Sequence, residues 1–413
     1  MIDFSFPPEL QSLRAQAAAF VDDTVLPAEE ELGRRPYWEI VAELQAAARA
    51  AGLWCPFIPR EWGGMGLGHL ANALVQVEVA RSFSGLAAWA LNCQSPTDAT
   101  MLTILEHGTE YHRERFLRPL IDGRMRVCFS MTEKSVAGSN ATGMETRAQL
   151  HGDTWVLNGE KWFSSGATTS HLAMVIAKSD PDAPRHRQYS AFMVELPAAG
   201  YRIVRDIPVL GEIGQVRFGD EKVHGHAEVR IEDLEVPAAH LIGGRGNGFV
   251  VAQHRLGYGR LRHGMRSIAK AQAALDLATK RCVERSAFGR RLGDLQGVQW
   301  QLADCARDLY IARLMVLHIA YKLEAGQDIA TENGIAKVFI ADMLSSVIDR
   351  AMQLHGSLGY SLDLPLAQWY AEARGHHLID GPDEVHRWKT GRRLLAEYER
   401  SGTTARVAGG ELF

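Results

Sequence analysis

Long hydrophobic runs are missing from this chain: none approaches the ~20 apolar residues that a membrane helix needs, which predicts a protein without a membrane span. The opening Met1-Ile2-Asp3-Phe4-Ser5-Phe6-Pro7-Pro8 has no basic segment followed by an apolar one, so no secretory leader is expected and the predicted location is cytoplasmic. Cysteine is sparse as well. Cys55, Cys93, Cys128, Cys282 and Cys305 lie far apart, with no CxxC pair and no His spacing of a zinc site, and they predict reduced, mostly buried thiols. Nor is either charge in excess. The 45 Lys+Arg against 49 Asp+Glu give a formal charge of -4, so no basic field attracts nucleic acid and an anionic ligand has to be met locally. No phosphate loop or GxGxxG string follows any strand-like run, which argues against the usual dinucleotide fold.

What is present is apolar material for a large core. The 413 residues, 46% hydrophobic and 23% charged, predict two or three domains. Residues 1–125 read as an N-terminal helical domain, with Leu10, Leu13, Ala17, Phe20, Val21 and then Ile40, Val41, Leu44, Ala47, Ala48 at helical spacing, interrupted by a Pro- and Gly-rich loop at 56–68. Residues 126–240 read as a middle β-barrel-like domain of short runs: Trp155-Val156-Leu157 ending in an Asn158-Gly159 turn, then 172–177, 191–194 and Val229-Arg230-Ile231. Residues 241–400 read as a C-terminal four-helix-bundle domain, since Ile268, Ala271, Leu275, Ala278 and Leu302, Cys305, Ala306, Leu309, Ala312, Leu323 recur every three or four positions. Residues 401–413 read as a flexible tail. The fold class expected is α+β.

One stretch has the makings of a catalytic loop. In Leu378-Ile379-Asp380-Gly381-Pro382-Asp383-Glu384-Val385-His386, Gly381 opens backbone angles closed to other residues and Pro382 fixes the next one, so Asp380 can be held at a set angle beside a cavity. Desolvation by Leu378 and Ile379 is expected to raise its proton affinity towards the range of a base working at neutral pH. An Asp-Gly-Pro string also makes ordinary surface turns, and the stretch alone does not choose between the two.

Other strings, taken in order, resemble the acyl-CoA dehydrogenase family over nearly the whole chain. Trp62-Gly63-Gly64-Met65-Gly66-Leu67 resembles its N-terminal crossover loop; Phe129-Ser130-Met131-Thr132-Glu133 with Ala137-Gly138-Ser139 its first flavin segment; and Asn158-Gly159-Glu160-Lys161-Trp162-Phe163-Ser164-Ser165-Gly166 its second. Arg285-Ser286-Ala287-Phe288-Gly289 with Gln296, and Gln353-Leu354-His355-Gly356-Ser357-Leu358-Gly359-Tyr360, resemble segments that reach FAD across a subunit interface. The Asp-Gly-Pro-Asp-Glu-Val-His string resembles the long-chain, 4-hydroxyacyl-CoA-acting branch that is kinase-fused in animals; long, branched and hydroxylated acyl chains all stay open.

The resemblance implies FAD as cofactor, an acyl-CoA substrate, an electron-transfer flavoprotein as electron acceptor and a homodimer or homotetramer. It places Phe129, Met131, Thr132, Ser139, Phe163, Ser165, Arg285, Phe288, Gln296, Gln353, Gly356, Pro382 and Glu384 at the cofactor, Ser139, Gly257, Arg260 and Gly381 at the substrate, and Asp380 on the family's catalytic Glu. An aromatic face at Phe163 and hydroxyls at Thr132 and Ser165 suit a flavin ring and its polar edge, and a guanidinium at Arg285 can meet a pyrophosphate with two hydrogen bonds. A core role for Phe163, a solvated Arg285 and a structural ion pair for Arg260 are the alternatives. The sequence departs from the family at Phe163 for Trp, Ser165 for Thr, His355 for Gly, and in a loop one residue longer between Thr132 and Ser139. The reaction implied is α,β-dehydrogenation to a trans-2-enoyl-CoA; an acyl-CoA oxidase, a nitroalkane-oxidase-like enzyme and a catalytically silent scaffold are the competing readings.

Overall fold

The protein is described by a computed structural model covering residues 5–210, 216–218 and 221–409; the first residues of the supposed leaderless start and 410–413 of the expected tail lie outside the described residues. Ahead of the sheet come α1 (Pro8–Phe20), α2 (Leu26–Glu29), α3 (Tyr37–Ala50), α4 (His69–Val79), α5 (Leu86–Ala90), α6 (Thr97–His107), α7 (Glu110–His112) and α8 (Arg118–Ile121). Packing groups the chain into two compact units. One takes Ala15–Leu67 and Ser84–Gly259; the other takes the stretch up to Arg14, Gly68–Phe83 and the chain from Arg260 onward. Within the second unit α4, from the expected N-terminal domain, therefore packs with the C-terminal helices.

The first unit carries β1 (Val127–Ser130), β2 (Arg147–His151), β3 (Thr154–Ser165), β4 (Leu172–Lys178), β5 (Tyr189–Glu195), β6 (Tyr201–Asp206), β7 (Val216–Phe218), β8 (Glu221–His224), β9 (His226–Pro237) and β10 (Leu241–Ile242). The main sheet runs β10-β5-β4-β1-β3-β9-β6, with β2 pairing both β3 and β4. β4 and β5 are buried at every position but the last, as the apolar runs at 172–177 and 191–194 within them require, whereas β9 alternates buried and exposed residues. Their shared core holds Cys128, Trp155, Leu157, Phe192, Val229 and Ile231.

Asn158-Gly159 is not a turn, and that expectation is corrected here. β3 runs straight through it, with a bulge against β9 between Leu157 and Gly159, and the β2–β3 turn lies instead at Gly152 (φ 63°). Gly159 is required by crowding: at φ 153° a Cβ there would lie 2.6–2.8 Å from Oγ1, Cα and Cβ of Thr146.

The second unit is built on α9 (Gly248–Glu284, from Arg260 on), the β11 (Ser286–Ala287) and β12 (Arg290–Arg291) hairpin, α10 (Gln296–Glu324), α11 (Ala330–His355), α12 (Ser357–Tyr360), α13 (Leu366–His376) and α14 (Asp383–Ser401). Ile268, Ala271, Ala278, Cys305, Leu309 and Ala312 face its core as their spacing predicts, joined by Leu344, Val347, Ile348 and Trp369; Ala306 is exposed. Glu324 caps α4 by accepting from the Leu70 N–H (3.3 Å), and a side chain at Gly68 would collide with that carboxylate. All five cysteines are free and buried. Among the described residues no helix is long and apolar enough to cross a membrane.

Candidate active site

The loop between α13 and α14 is where the second unit concentrates its polar groups. Gly375 carbonyl accepts from Leu378 and Ile379 (2.9 and 3.1 Å), closing α13; the chain then passes through the left-handed region at Asp380 (φ 53°) and Gly381 (φ 98°), and Pro382 leads into α14. Two donors hold the Asp380 carbonyl: Arg260 Nε at 2.9 Å and His386 Nε2 at 3.3 Å. Gly381 cannot carry a side chain cheaply, because a Cβ would stand 3.0 Å from His386 Nε2. Behind the loop, buried Asp383 is gripped by Lys337 Nζ (2.5 Å) and His377 Nδ1 (2.6 Å). Burial alone would raise the Asp383 carboxyl, but Lys337 and His377 outweigh it and hold it below the usual range.

Asp380 opens onto a cavity lined by Arg260, His263, Ser267, Asn333, Lys337 and His376 among apolar Val316, Ile319, Ile340 and Ile379. In this form it has room for about one water molecule. The Asp380 side chain is 17% exposed, and its Oδ2 lies 3.3 Å from His263 Nε2. His263 and His376 meet edge to face at 5.6 Å, and Ser267 Oγ joins them, 3.2 Å from His376 Nδ1 and donating to the His263 carbonyl at 2.8 Å. The expected source of desolvation is corrected in part: Leu378 is 57% exposed, whereas Ile379, 37% exposed, does line the cavity, and the rest of the shelter of Asp380 comes from α9, α10, α11 and α13. Arg260 forms neither of its two expected links alone; it lines the cavity and props the backbone of the loop. Glu384 is exposed on the first turn of α14.

In the first unit the sheet brings several of the flavin candidates together. Phe129 pairs with Ser165 across β1 and β3, and the Trp162 N–H donates to the Thr132 carbonyl at 2.7 Å. A second bulge of β3, between Lys161 and Ser164, throws Phe163 outward at φ 56°, leaving its ring 41% exposed. That excludes a core role. Underneath, wholly buried Lys161 donates to Glu133 (2.8 Å) and to the Met131 carbonyl (3.0 Å), while the Glu145 and Thr146 N–H groups complete Glu133 (2.6 and 3.0 Å). Burial opposes the charge on Glu133, but Lys161 and the backbone donors hold its carboxyl below the usual range. Met131 is buried, Thr132 and Ser139 are exposed, and Arg255 stacks on the Phe129 ring at 4.0 Å. His226, which no sequence motif singles out, lies 2.7 Å from Ser165 Oγ and 5.2 Å from the Phe163 ring. Gly257, also in this unit, has open space where a Cβ would point.

The segments expected at a subunit interface are bare in the single chain. Arg285, Gln296, Gln353 and Gly356 are exposed, and Phe288 is fully so, at φ 51° on the tip of the β11–β12 hairpin. His355 turns inward, its Nδ1 donating to the Ala351 carbonyl (2.7 Å). Among the described residues only Cys55, Asn92, Phe163, Asp233, Phe288 and Asp380 combine a side chain with a left-handed backbone. Three of them, Phe163, Phe288 and Asp380, are candidate site residues, and such backbone conformations cost on the order of 1–3 kcal/mol each.

The chain matches the acyl-CoA dehydrogenase N-terminal domain over residues 7–124, the middle domain over 128–218 and the C-terminal domain over 246–395. It is 37% identical over 372 residues to "Probable acyl-CoA dehydrogenase FadE2" of Mycobacterium tuberculosis, covering 89% of this chain and 88% of that protein. It is 35% identical over 392 residues to acyl-CoA dehydrogenase family member 11 of Gallus gallus, covering 91% of this chain and 49% of that protein, so it spans about half of that relative's length. The structure of butyryl-CoA dehydrogenase from Megasphaera elsdenii aligns with a TM-score of 0.81 at 27% identity, over 95% of this chain and all of that one. The chain belongs to the acyl-CoA dehydrogenase family.

Proposed function

We propose that this chain converts an acyl-CoA thioester to the trans-2-enoyl-CoA, with Asp380 taking the α proton. The observation that carries this is the Asp380 loop itself: a left-handed carboxylate residue, clamped at its carbonyl by Arg260 and His386, with its side chain on a sheltered cavity wall. Asp is one methylene shorter than Glu, so loop or substrate has to make up roughly 1.5 Å. The clamp gives the loop a fixed place from which to do so. The residues fit FAD: the bared Phe163 ring offers a flat face, Thr132 and Ser165 offer hydroxyls, Phe129 and Met131 back them, and exposed Arg285 suits a pyrophosphate. When bound, FAD supplies the acceptor for the β hydrogen at its N5.

Ser139, Gly257, Arg260 and Gly381 are assigned to the substrate, with Arg260 acting on it through the loop. Pro382 and Glu384 are assigned to the cofactor through the start of α14. Exposed Arg285, Phe288, Gln296, Gln353 and Gly356 support a homodimer or homotetramer in which a second copy covers them. An electron-transfer flavoprotein is the proposed acceptor, and a cytoplasmic location is kept as part of this reading. Purified protein should be yellow, and an anaerobic titration with acyl-CoAs of graded length, branching and hydroxylation should bleach it and reveal the substrate class. Bleaching by nitroalkanes alone would replace the reading by the nitroalkane-oxidase-like one, and fast reoxidation by oxygen by the oxidase.

A further inference from the structure

This inference rests on Asp380 being the base. A short carboxylate beside a cavity needs a donor to keep it turned towards its substrate, and several polar side chains stand near it. On α9, Arg260 already gives its Nε to the Asp380 carbonyl; on α11, Lys337 is paired with Asp383; on α14, His386 Nε2 faces the same carbonyl as Arg260, with Lys389 further along the helix. On α13, His376 Nδ1 lies at Ser267 Oγ. His263 is the residue whose ring nitrogen faces the carboxylate, at 3.3 Å.

We infer that His263 is the positioning residue of this site: its Nε2–H donates to Asp380 Oδ2 and holds the base for the α proton. At 3.3 Å the approach falls short of hydrogen-bond geometry in this form, as catalytic contacts commonly do before substrate closes on them. Next to an anionic oxygen the tautomer that carries hydrogen on Nε2 is favoured, since two lone pairs would otherwise face each other. Burial, with Arg266, Arg262 and Lys337 nearby, pushes the imidazole down to about 3, so the ring is neutral and a poor acceptor for a proton from Asp380. His263 therefore acts as a donor and not as a relay. Its partner His376, also kept neutral by burial, and Ser267 hold the ring's helix and edge in place.

A donor to the charged form stabilises that form. Removing it should move the acid limb of flavin reduction up by about one to two pH units and slow reduction at neutral pH about 10- to 100-fold. The experiment is anaerobic stopped-flow reduction by a bleaching acyl-CoA, over a range of pH, for wild type, His263→Val, His263→Gln and Asp380→Asn, each shown to retain FAD. The expected result is an upshifted acid limb in His263→Val with little change in substrate Kd, rate recovered at alkaline pH, and most of the loss restored by His263→Gln, which keeps an N–H donor. A slow His263→Val with an unmoved acid limb, or a His263→Gln as impaired as His263→Val, overturns the positioning role. If Asp380→Asn is nearly inactive in the same series, that failure belongs to His263 alone; if Asp380→Asn is reduced normally, the base assignment itself has failed.

Discussion

Replacing Lys161 by Met tests whether the buried ion pair under the sheet fastens the flavin-facing segment. Lys161 and Glu133 are both wholly buried, and Lys161 also holds the Met131 carbonyl next to Thr132. Breaking a buried pair from one side costs about 3–5 kcal/mol, because a charge is left without its partner. Glu133 keeps the Glu145 and Thr146 N–H groups at 2.6 and 3.0 Å, so the loss should fall at the low end, about 3 kcal/mol at pH 7. The pH dependence has a definite sign. With its folded-state proton affinity held below the usual, Glu133 contributes stability above its unfolded pKa of roughly 4.3, and that contribution is lost as pH falls through the lower folded value. Without Lys161, burial dominates and Glu133 protonates more readily, so the deficit of Lys161→Met should shrink on acidification. Urea unfolding, followed by tryptophan fluorescence and flavin release at pH 7 and near pH 5, reads both effects, and Lys161→Met with Glu133→Gln should recover much of the loss. A single variant as stable as wild type, or a deficit that grows in acid, would refute the reasoning.

Two further outcomes are expected. Gly159→Ala should cost more than about 2 kcal/mol, seen as a lowered midpoint of thermal unfolding, because its Cβ meets the backbone of Thr146 and not a yielding side-chain tip. Arg285→Ala should lower the flavin-to-protein ratio and the oligomer mass together in sedimentation, since a cofactor bound only by the assembled state stabilises that state; loss of neither would remove Arg285 from the proposed interface.

Much of the architecture is legible in the sequence because its signals are local. The apolar runs at 172–177 and 191–194 become the buried strands β4 and β5, and Ile268, Ala271, Cys305, Leu309 and Ala312 sit in the core of the helical unit as their spacing implies. The family follows from the order of its strings. What escapes the sequence is set by neighbours distant along the chain. Asn-Gly is the strongest short hairpin signal, yet β3 runs through it with a bulge against β9, and Thr146, just ahead of β2, leaves no room for a side chain at Gly159. Leu378 adjoins Asp380 in sequence but stands in the open, while Ile379 and residues of α9, α10, α11 and α13 enclose it. His263 carries no motif; its one signal is its place three residues after Arg260, on the same face of α9. His226 offers no sequence signal at all, and only the pairing of β3 with β9 brings it to Ser165.

The central claim is that Asp380 removes the α proton, and anaerobic stopped-flow reduction of Asp380→Asn, with FAD content and acyl-CoA Kd matched to wild type, tests it most directly. Asn keeps the size of the side chain and, with it, most of the packing at the cavity wall. The account predicts flavin reduction slowed by at least the ~10²–10⁴-fold of a positioned base, with substrate binding retained and Asp380→Glu partly active. Near-normal reduction in Asp380→Asn would contradict it and move the base elsewhere, with Glu384 the first carboxylate to examine.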